Sequence, residues 1–114
     1  MELNSNNFSE RRLLKDTTNG KSALVLFYSP NCGHCVKYKP EFEKTRGIGQ
    51  VDIFTVDVTK NSDLGKRFEI SSVPTVFYFF NGHATSQFSG YKTHRETIQF
   101  LCNNLESACE YLNV

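Results

Sequence analysis

Apolar residues along the chain fall into short, closely spaced runs of the kind that form strands. Residues 21–28 end in a continuous apolar run, which is typical of a strand buried on both faces. Residues 51–58 alternate between apolar and polar positions, and residues 75–80 give the strongest strand pattern in the chain. Because the Asn-Gly pair at 81–82 favours a tight hairpin turn, residues 83–89 are predicted to return antiparallel to the preceding strand.

Two helices are predicted in the first half of the chain. The first is capped by Asn6 or Asn7 and is stopped by the turn-forming residues 17–20. The second covers residues 32–45 and contains Pro40. A proline inside a helix removes one backbone hydrogen bond, so this helix is expected to be kinked.

Two further helices are predicted in the second half. A short helix over residues 62–68 follows the cap residue Asn61, and Thr93 with Glu96 forms a capping box that launches the last helix. The apolar face of that last helix comprises Ile98, Leu101, Cys102, Leu105, Ala108, Cys109 and Leu112. The predicted order is α-β-α-β-α-β-β-α, with room for a short strand at residues 2–3 in front.

This order predicts an α/β fold in which a mixed sheet of four to five strands has helices on both faces. The length of 114 residues corresponds to one domain, residues 1–114, and we expect it to be monomeric. A net charge of +1 with scattered basic residues argues against binding to nucleic acid or to an anionic membrane. The longest apolar stretch, residues 73–80, is far too short to span a bilayer.

The sequence Cys32-Gly33-His34-Cys35 directly after the first long strand indicates redox chemistry. Cysteines three positions apart on a helix place their Cα atoms ~5 Å apart, which is within the range that a disulfide tolerates. The first thiol lies at a helix N-terminus, where the partial positive charge favours the thiolate, and a protonated His34 would favour it further. We therefore predict that Cys32 and Cys35 form a redox-active dithiol/disulfide pair, active without a cofactor.

The other two cysteines are predicted to have a structural role. Cys102 and Cys109 are seven positions apart in a helical pattern, or ~10.5 Å along the axis, so a disulfide between them would require the helix to melt. We expect them to pack as small apolar side chains. The alternative is a regulatory or intermolecular thiol at Cys109.

Several segments carry a resemblance to a known family. They are residues 27–35, Pro40, residues 68–75, and the predicted hairpin with Gly90 after it. A CxxC pair alone also occurs in zinc sites, whereas CGHC after one strand and Val-Pro-Thr before another is a specific combination. Over nearly its whole length the chain resembles a thioredoxin-fold domain, and more narrowly a catalytic domain of the protein disulfide isomerase family.

The resemblance assigns roles to the residues of the motif. It implies that Cys32 is the exposed nucleophile that attacks substrate disulfides and that Cys35 is the resolving thiol one turn deeper. His34 would stabilise the Cys32 thiolate and so make the couple more oxidising, at ~30 mV for 1.4 kcal/mol. Gly33 completes the motif and leaves little bulk beside the thiols.

The resemblance also implies a substrate groove beside the thiols. Pro74 would be a cis-proline facing the cysteine pair. Val73, Gly90 and Tyr91 would line the groove that holds an extended substrate segment. Asn31 precedes the first cysteine, where the family usually has tryptophan, so part of the apolar substrate surface is missing.

A second departure concerns proton transfer. The family usually buries an acid six residues before the first cysteine and pairs it with a lysine, but these positions hold Leu26 and Thr55. Losing both groups leaves no unpaired buried charge. It also removes the obvious base for Cys35, so slow turnover is expected unless water or another group takes the proton.

The sequence therefore predicts a thiol–disulfide oxidoreductase that acts on protein substrates with thiols or disulfides and needs an unidentified redox recycling partner. One alternative is a thioredoxin-like peptide-binding or chaperone module with weak or no catalysis. Another is a metal site built on the two motif cysteines and drawing on His34, His94 or Cys102. With no signal segment or retention tail in the sequence, we expect a cytoplasmic protein; the alternative is an excised domain from the lumen of the endoplasmic reticulum.

Overall fold

The computed structural model describes residues 1–113 of the chain. The strands are β1 (Glu2–Leu3), β2 (Phe8–Ser9), β3 (Arg12–Leu13), β4 (Ser22–Tyr28), β5 (Val51–Asp57), β6 (Thr75–Phe80) and β7 (His83–Ser89). The α-helices are α1 (Gly33–Glu43), α2 (Ser62–Arg67) and α3 (His94–Asn104). Short 3₁₀ helices cover Ser5–Asn7, Lys15–Thr17 and Glu106–Asn113.

The strands form one mixed sheet in the order β1-β5-β4-β6-β7-β3-β2. β1, β5 and β4 are parallel, whereas β6 and β7 are antiparallel to their neighbours, which confirms the predicted α/β class with a terminal hairpin. The prediction of four to five strands is wrong, because the described sheet has seven. β1 is the short strand for which the sequence left room at residues 2–3. The additional strands, β2 and β3, lie together at the opposite edge and are only two residues long, too short to give a period-two pattern.

The sheet separates two apolar cores, and the continuous apolar run of β4 serves both. Leu24 and Leu26 face the core shared with α1 and α3, whereas Val25 and Phe27 face the core on the other side. All seven residues of β4 are buried. A central strand covered on both faces has no need for polar alternation, which is why residues 21–28 lack it.

The first predicted helix is wrong. Its segment instead forms a 3₁₀ turn followed by the β2–β3 hairpin, in which Phe8 pairs directly with Leu13. Both side chains reach the same core, and Glu10 adopts a left-handed backbone with φ 53° at the turn between them. Antiparallel pairing brings together two apolar residues that are widely spaced in sequence, so this burial needs no helix.

The last predicted helix is also shorter than expected. α3 ends at Asn104, Leu105 turns to φ −143° and ψ 103°, and the chain continues as a 3₁₀ helix. Cys102 and Cys109 form a disulfide with their Cα atoms 4.5 Å apart. The prediction that they cannot bridge is wrong, because one continuous helix does not join them.

Removing this disulfide is expected to destabilise the domain. The chain-entropy model gives ~2–3 kcal/mol for closing so short a loop. We therefore expect Cys109→Ser to lower the free energy of unfolding in urea by about 2 kcal/mol without reductant. In dithiothreitol the variant and the wild type should unfold at nearly the same urea concentration. Equal stability of the two proteins without reductant would contradict a stabilising bridge.

Local sequence explains where α3 begins, and a side-chain contact joins it to α1. In α3 the Thr93 side chain accepts from the N–H of Glu96, and the Glu96 carboxylate accepts from the N–H of Thr93, as the capping box predicts. Tyr38 of α1 donates or accepts a buried hydrogen bond with Thr97 of α3 at 2.7 Å. This contact ties the helix that carries the cysteines to the C-terminal helix. Within residues 1–113, no helix is long and apolar enough to cross a membrane.

Candidate functional site

The two cysteines of the CGHC sequence lie at the start of α1, just after β4. β4 ends at Tyr28, and Cys32 is the N-cap residue of α1. The backbone N–H of Cys35 donates to the Sγ of Cys32 at 3.3 Å. The half-buried Cys32 thiol in turn donates to the carbonyl oxygen of Val73 at 3.6 Å. Both thiols are free, so the structure presents the reduced form of the pair.

The two thiols have opposite electrostatic environments. Hydrogen bonding lowers the pKa of Cys32, first through the thiol of Cys35 and then through the backbone N–H groups of Cys35 and His34. Cys35 is 1% exposed, and its burial, followed by its hydrogen bond to Cys32, raises its pKa to about 11. Cys32 is therefore the more accessible thiol and ionises more readily, whereas Cys35 is buried and stays protonated.

The residues between and before the cysteines are exposed. His34 is at the second position of α1, and its backbone contributes to the thiolate environment of Cys32. At Gly33 an added Cβ would meet no atom within 4 Å, so packing does not demand glycine there. Asn31 lies on the surface beside Cys32, where it adds no apolar area. A contribution of the His34 imidazole to catalysis stays a prediction.

Of the residues predicted to line the groove, Val73 contacts Cys32 directly. The Val73–Pro74 peptide bond is cis, as the resemblance implies, and the Val73 carbonyl faces the Cys32 thiol. The N–H of Gly90 donates to the carbonyl oxygen of Pro74 at 2.8 Å, with Gly90 in a left-handed conformation at φ 92°. Tyr91 is 38% exposed and packs edge-on against Tyr38 of α1.

The position of the missing acid lies in the core next to Cys35. Leu26 and Thr55 are directly opposite each other in the β4–β5 ladder, and both are buried. Leu26 belongs to the same core cluster as Cys35. With leucine in place of the acid, the resolving thiol shares its core cluster with an apolar side chain at this position.

The sequence did not single out Lys39, which lies near Cys35, or Glu2, which contacts Tyr28. Lys39 places its Nζ 4.0 Å from the ring centroid of Tyr28, and the Tyr28 hydroxyl donates to the carboxylate of Glu2. Lys39 follows Cys35 by four positions, a helical spacing that puts both residues on one face of α1. That spacing was available in the sequence, whereas the approach of Glu2 depends on β1 joining the sheet.

The described residues do not assemble the ligands that the metal-site alternative requires. His34 is the second residue of α1, His94 is the first residue of α3, and Cys102 is bonded to Cys109. Among residues 1–113, no group of three or more histidine, cysteine and acidic side chains is arranged to hold a metal ion.

Curated relatives of the chain include domains of disulfide isomerases. The chain is 33% identical over 108 residues to a thioredoxin domain-containing protein of Theileria parva, covering 93% of this chain and 49% of that protein. It is 39% identical over 88 residues to protein disulfide-isomerase A5 of Mus musculus, covering 72% of this chain and 17% of that protein. The chain thus spans about half or less of the length of these relatives.

Solved structures show the same fold. A thioredoxin of Malassezia sympodialis superposes with a TM-score of 0.67 and 28% identity, covering 79% of this chain and 80% of that one. A mutant thioredoxin of Halobacterium salinarum gives a TM-score of 0.70 at 22% identity, with 76% and 77% coverage. These matches confirm the predicted thioredoxin fold.

The family assignment rests on the whole arrangement and on the match of a family model. The model named Thioredoxin matches residues 1–103, which include both cysteines, the cis-proline and the strands that position them. The chain therefore belongs to the thioredoxin family.

Proposed function

We propose that this domain catalyses thiol–disulfide exchange on protein substrates through Cys32 and Cys35. Membership of the thioredoxin family and kinship with disulfide isomerases support a thiol–disulfide oxidoreductase in general. The observation that carries the proposal is the asymmetry of the two thiols. Cys32 caps α1 with a lowered pKa, whereas the thiol of Cys35 is buried one turn deeper with a raised pKa.

The reducing direction has two steps. The Cys32 thiolate attacks one sulfur of a substrate disulfide, so a mixed disulfide forms and the other substrate sulfur leaves as a thiolate. Cys35 then loses its proton and attacks the Cys32 sulfur, releasing the second substrate sulfur. The Cys32–Cys35 disulfide forms, and the substrate gains two electrons. Oxidation of a substrate dithiol is the reverse sequence. In isomerisation, Cys32 attacks a substrate disulfide and a different substrate thiolate then displaces Cys32 from the mixed disulfide.

The substrate segment is proposed to lie extended across the groove formed by Val73, Pro74, Gly90 and Tyr91. The Val73 carbonyl offers a backbone acceptor next to the reactive sulfur. An extended segment presents its own N–H groups for such a contact, as an added strand does. Backbone recognition of this kind suits an enzyme that acts on many protein sequences, and Asn31 adds no large apolar contact to restrict them.

The reactivity of Cys32 is expected to depend on pH in a defined direction. Alkylation by iodoacetamide should follow the thiolate, so its rate should fall as the pH drops through a midpoint below the ordinary thiol value of ~8.5. Cys35 should stay unreactive over the same range because its pKa is raised to about 11. The test is the pH dependence of Cys32 alkylation, followed by mass spectrometry. A midpoint at or above that of free cysteine would contradict the proposed nucleophile.

The proposed role of His34 has its own test. Loss of the imidazole in His34→Ala should raise the Cys32 midpoint and make the couple more reducing, by about 30 mV for each tenfold loss of thiolate stabilisation. The potential is measured by equilibration with glutathione. Gly33→Ala is the matched control, because an added methyl group at that position meets no neighbour. An unchanged potential in His34→Ala would assign the stabilisation of the Cys32 thiolate to the Cys35 thiol and the backbone N–H groups.

A second candidate function is a peptide-binding or chaperone module with slow catalysis. Leu26 and Thr55 favour it, because they leave Cys35 without a buried base. Substrate turnover by the wild type compared with Cys32→Ser separates the two functions. Metal binding, the remaining alternative, is tested by elemental analysis of the purified protein, where stoichiometric zinc would support it.

We propose the lumen of the endoplasmic reticulum, rather than the cytoplasm expected from the sequence, as the compartment of this domain. The Cys102–Cys109 disulfide supports this choice, because disulfides persist in oxidising compartments and are rare in reducing ones. Thiol trapping in cells followed by mass spectrometry tests it. Reduced Cys102 and Cys109 in the trapped protein would favour the cytoplasm.

A further inference from the structure

A cleft of about 370 Å³ opens beside the resolving cysteine, between the end of β4 and α1. Cys35 lines this cleft together with Tyr28, Lys39 and Pro40. The thiol is otherwise enclosed, since Cys35 is 1% exposed and packs in the core with Leu26. The cleft is therefore a route from this sulfur toward solvent, and Lys39 is among the residues that line it.

Lys39 lies beside the cleft in a cation–π contact with Tyr28. Its Nζ lies 4.0 Å from the centroid of the Tyr28 ring, a close cation–π distance. The ring is buried at 7% exposure, and its hydroxyl donates to the carboxylate of Glu2 in β1. Glu2, Tyr28 and Lys39 thus link three elements of the fold and fix a positive charge near Cys35.

The resolving step requires a charge to form on a buried sulfur. Cys35 must become a thiolate before it attacks, yet burial raises its pKa to about 11. Position 26 is a buried leucine and therefore cannot accept the proton, as a carboxylate there would. The positive charge of Lys39 acts against the burial and lowers the pKa of Cys35.

We propose that Lys39 is a positioning residue that stabilises the Cys35 thiolate during resolution, replacing a buried base by a nearby cation. This inference rests on the proposed disulfide exchange. The proton of Cys35 passes to water in the cleft, the thiolate attacks the Cys32 sulfur of the mixed disulfide, and the substrate sulfur leaves with the bonding pair. The other ionisable groups around the cluster are Cys32, Tyr28, Glu2 and Asp57; the two carboxylates act on Tyr28.

Resolution can be isolated with dithionitrobenzoate as the substrate. Cys32 of the reduced protein attacks the reagent and releases one thionitrobenzoate; attack by Cys35 then releases the second. The second release is unimolecular, so its rate is independent of reagent concentration and is followed by absorbance in a stopped-flow instrument. The protein is reduced mildly, so that two thiols titrate per chain and the Cys102–Cys109 bond stays intact.

Lys39→Met is expected to slow the second release about 3- to 10-fold at pH 7 and to shift its pH midpoint upward. The rates should converge with the wild type at high pH, where Cys35 ionises without assistance, which a general loss of structure would not produce. Lys39→Arg should restore most of the rate because it keeps the charge. Lys44→Met is the matched control: it removes a charge at the end of the same helix, where Lys44 pairs with Glu41.

The outcomes distinguish this inference from the function on which it rests. A wild type that gives no unimolecular release contradicts the proposed exchange itself. A normal release in the wild type with the same pH profile in Lys39→Met overturns the role of Lys39. Equal slowing in Lys39→Arg also overturns it, because the effect would then follow the shape of the side chain and not its charge.

Discussion

Cys32→Ser is expected to reduce insulin reduction by dithiothreitol to below about one hundredth of the wild-type catalysed rate. Cys32 supplies the accessible sulfur with a lowered pKa, and serine at this position cannot form a stable mixed disulfide. Cys35 cannot take over the attack, since it is 1% exposed and its pKa is raised to about 11. The rate is measured by the turbidity of the precipitating insulin B chain.

Cys35→Ser should fail in a different way. Its Cys32 still attacks the substrate, but the mixed disulfide has no neighbouring thiol to resolve it. We expect a covalent adduct of the domain and its substrate to accumulate, visible by mass spectrometry without reductant. The adduct should be absent from Cys32→Ser.

The control for both variants is the double replacement Cys102→Ser with Cys109→Ser. It removes the other pair of sulfurs and should leave the initial rate of insulin reduction unchanged at a temperature where the protein is folded. Wild-type activity in Cys32→Ser would assign the observed reduction to another group and favour the peptide-binding module.

Phe77→Ala is expected to be the most destabilising single replacement in the core, at about 3–5 kcal/mol. Phe77 packs within an aromatic cluster, with ring centroids 5.4 Å from Phe27, 5.3 Å from Phe68 and 6.2 Å from Phe79. It is 1% exposed, so removal of the ring leaves a cavity that the rigid sheet cannot close. Urea unfolding monitored by circular dichroism measures the loss.

Phe80 provides the comparison within the same strand. It is 41% exposed at the end of β6, and Phe80→Ala should cost less than about 1 kcal/mol. Phe77 and Cys35 lie in the two different cores, on opposite faces of the sheet. The pH midpoint of Cys32 alkylation in Phe77→Ala should therefore match that of the wild type at temperatures where the variant is folded. Similar losses in the two phenylalanine variants would contradict the burial difference on which the prediction depends.

The central strands and the position of the thiol pair could be predicted because their signals are local. The apolar run of β4 and the Asn-Gly turn after β6 each act through residues adjacent in sequence. The CGHC motif at the end of β4 then places both thiols at the carboxyl edge of the sheet, where open α/β folds hold their sites. Seven residues of β4 and six of β6 lie as these patterns indicate.

The edges of the domain were not predictable in this way, because long-range pairing decides them. The first helix is predicted from a capping asparagine and a stop at residues 17–20, yet Phe8 and Leu13 of that segment pair across a hairpin. The helical pattern continues through Leu105, but the chain leaves the helix there and the two C-terminal cysteines meet. Glu2 reaches Tyr28 only through the pairing of β1 with β5. In each case a local pattern fits two structures, and tertiary contacts select one.

In the proposed exchange, the contact between the Cys32 thiol and the Val73 carbonyl would couple ionisation of the sulfur to binding of the substrate. While the sulfur carries its proton, it occupies the acceptor that an incoming polypeptide would use. Once the proton leaves, the anion and the carbonyl oxygen repel each other, and an amide of the client relieves that repulsion. The affinity for the substrate segment should therefore be higher when Cys32 is a thiolate than when it is a thiol. The form that attacks the substrate is then also the form that binds it more tightly.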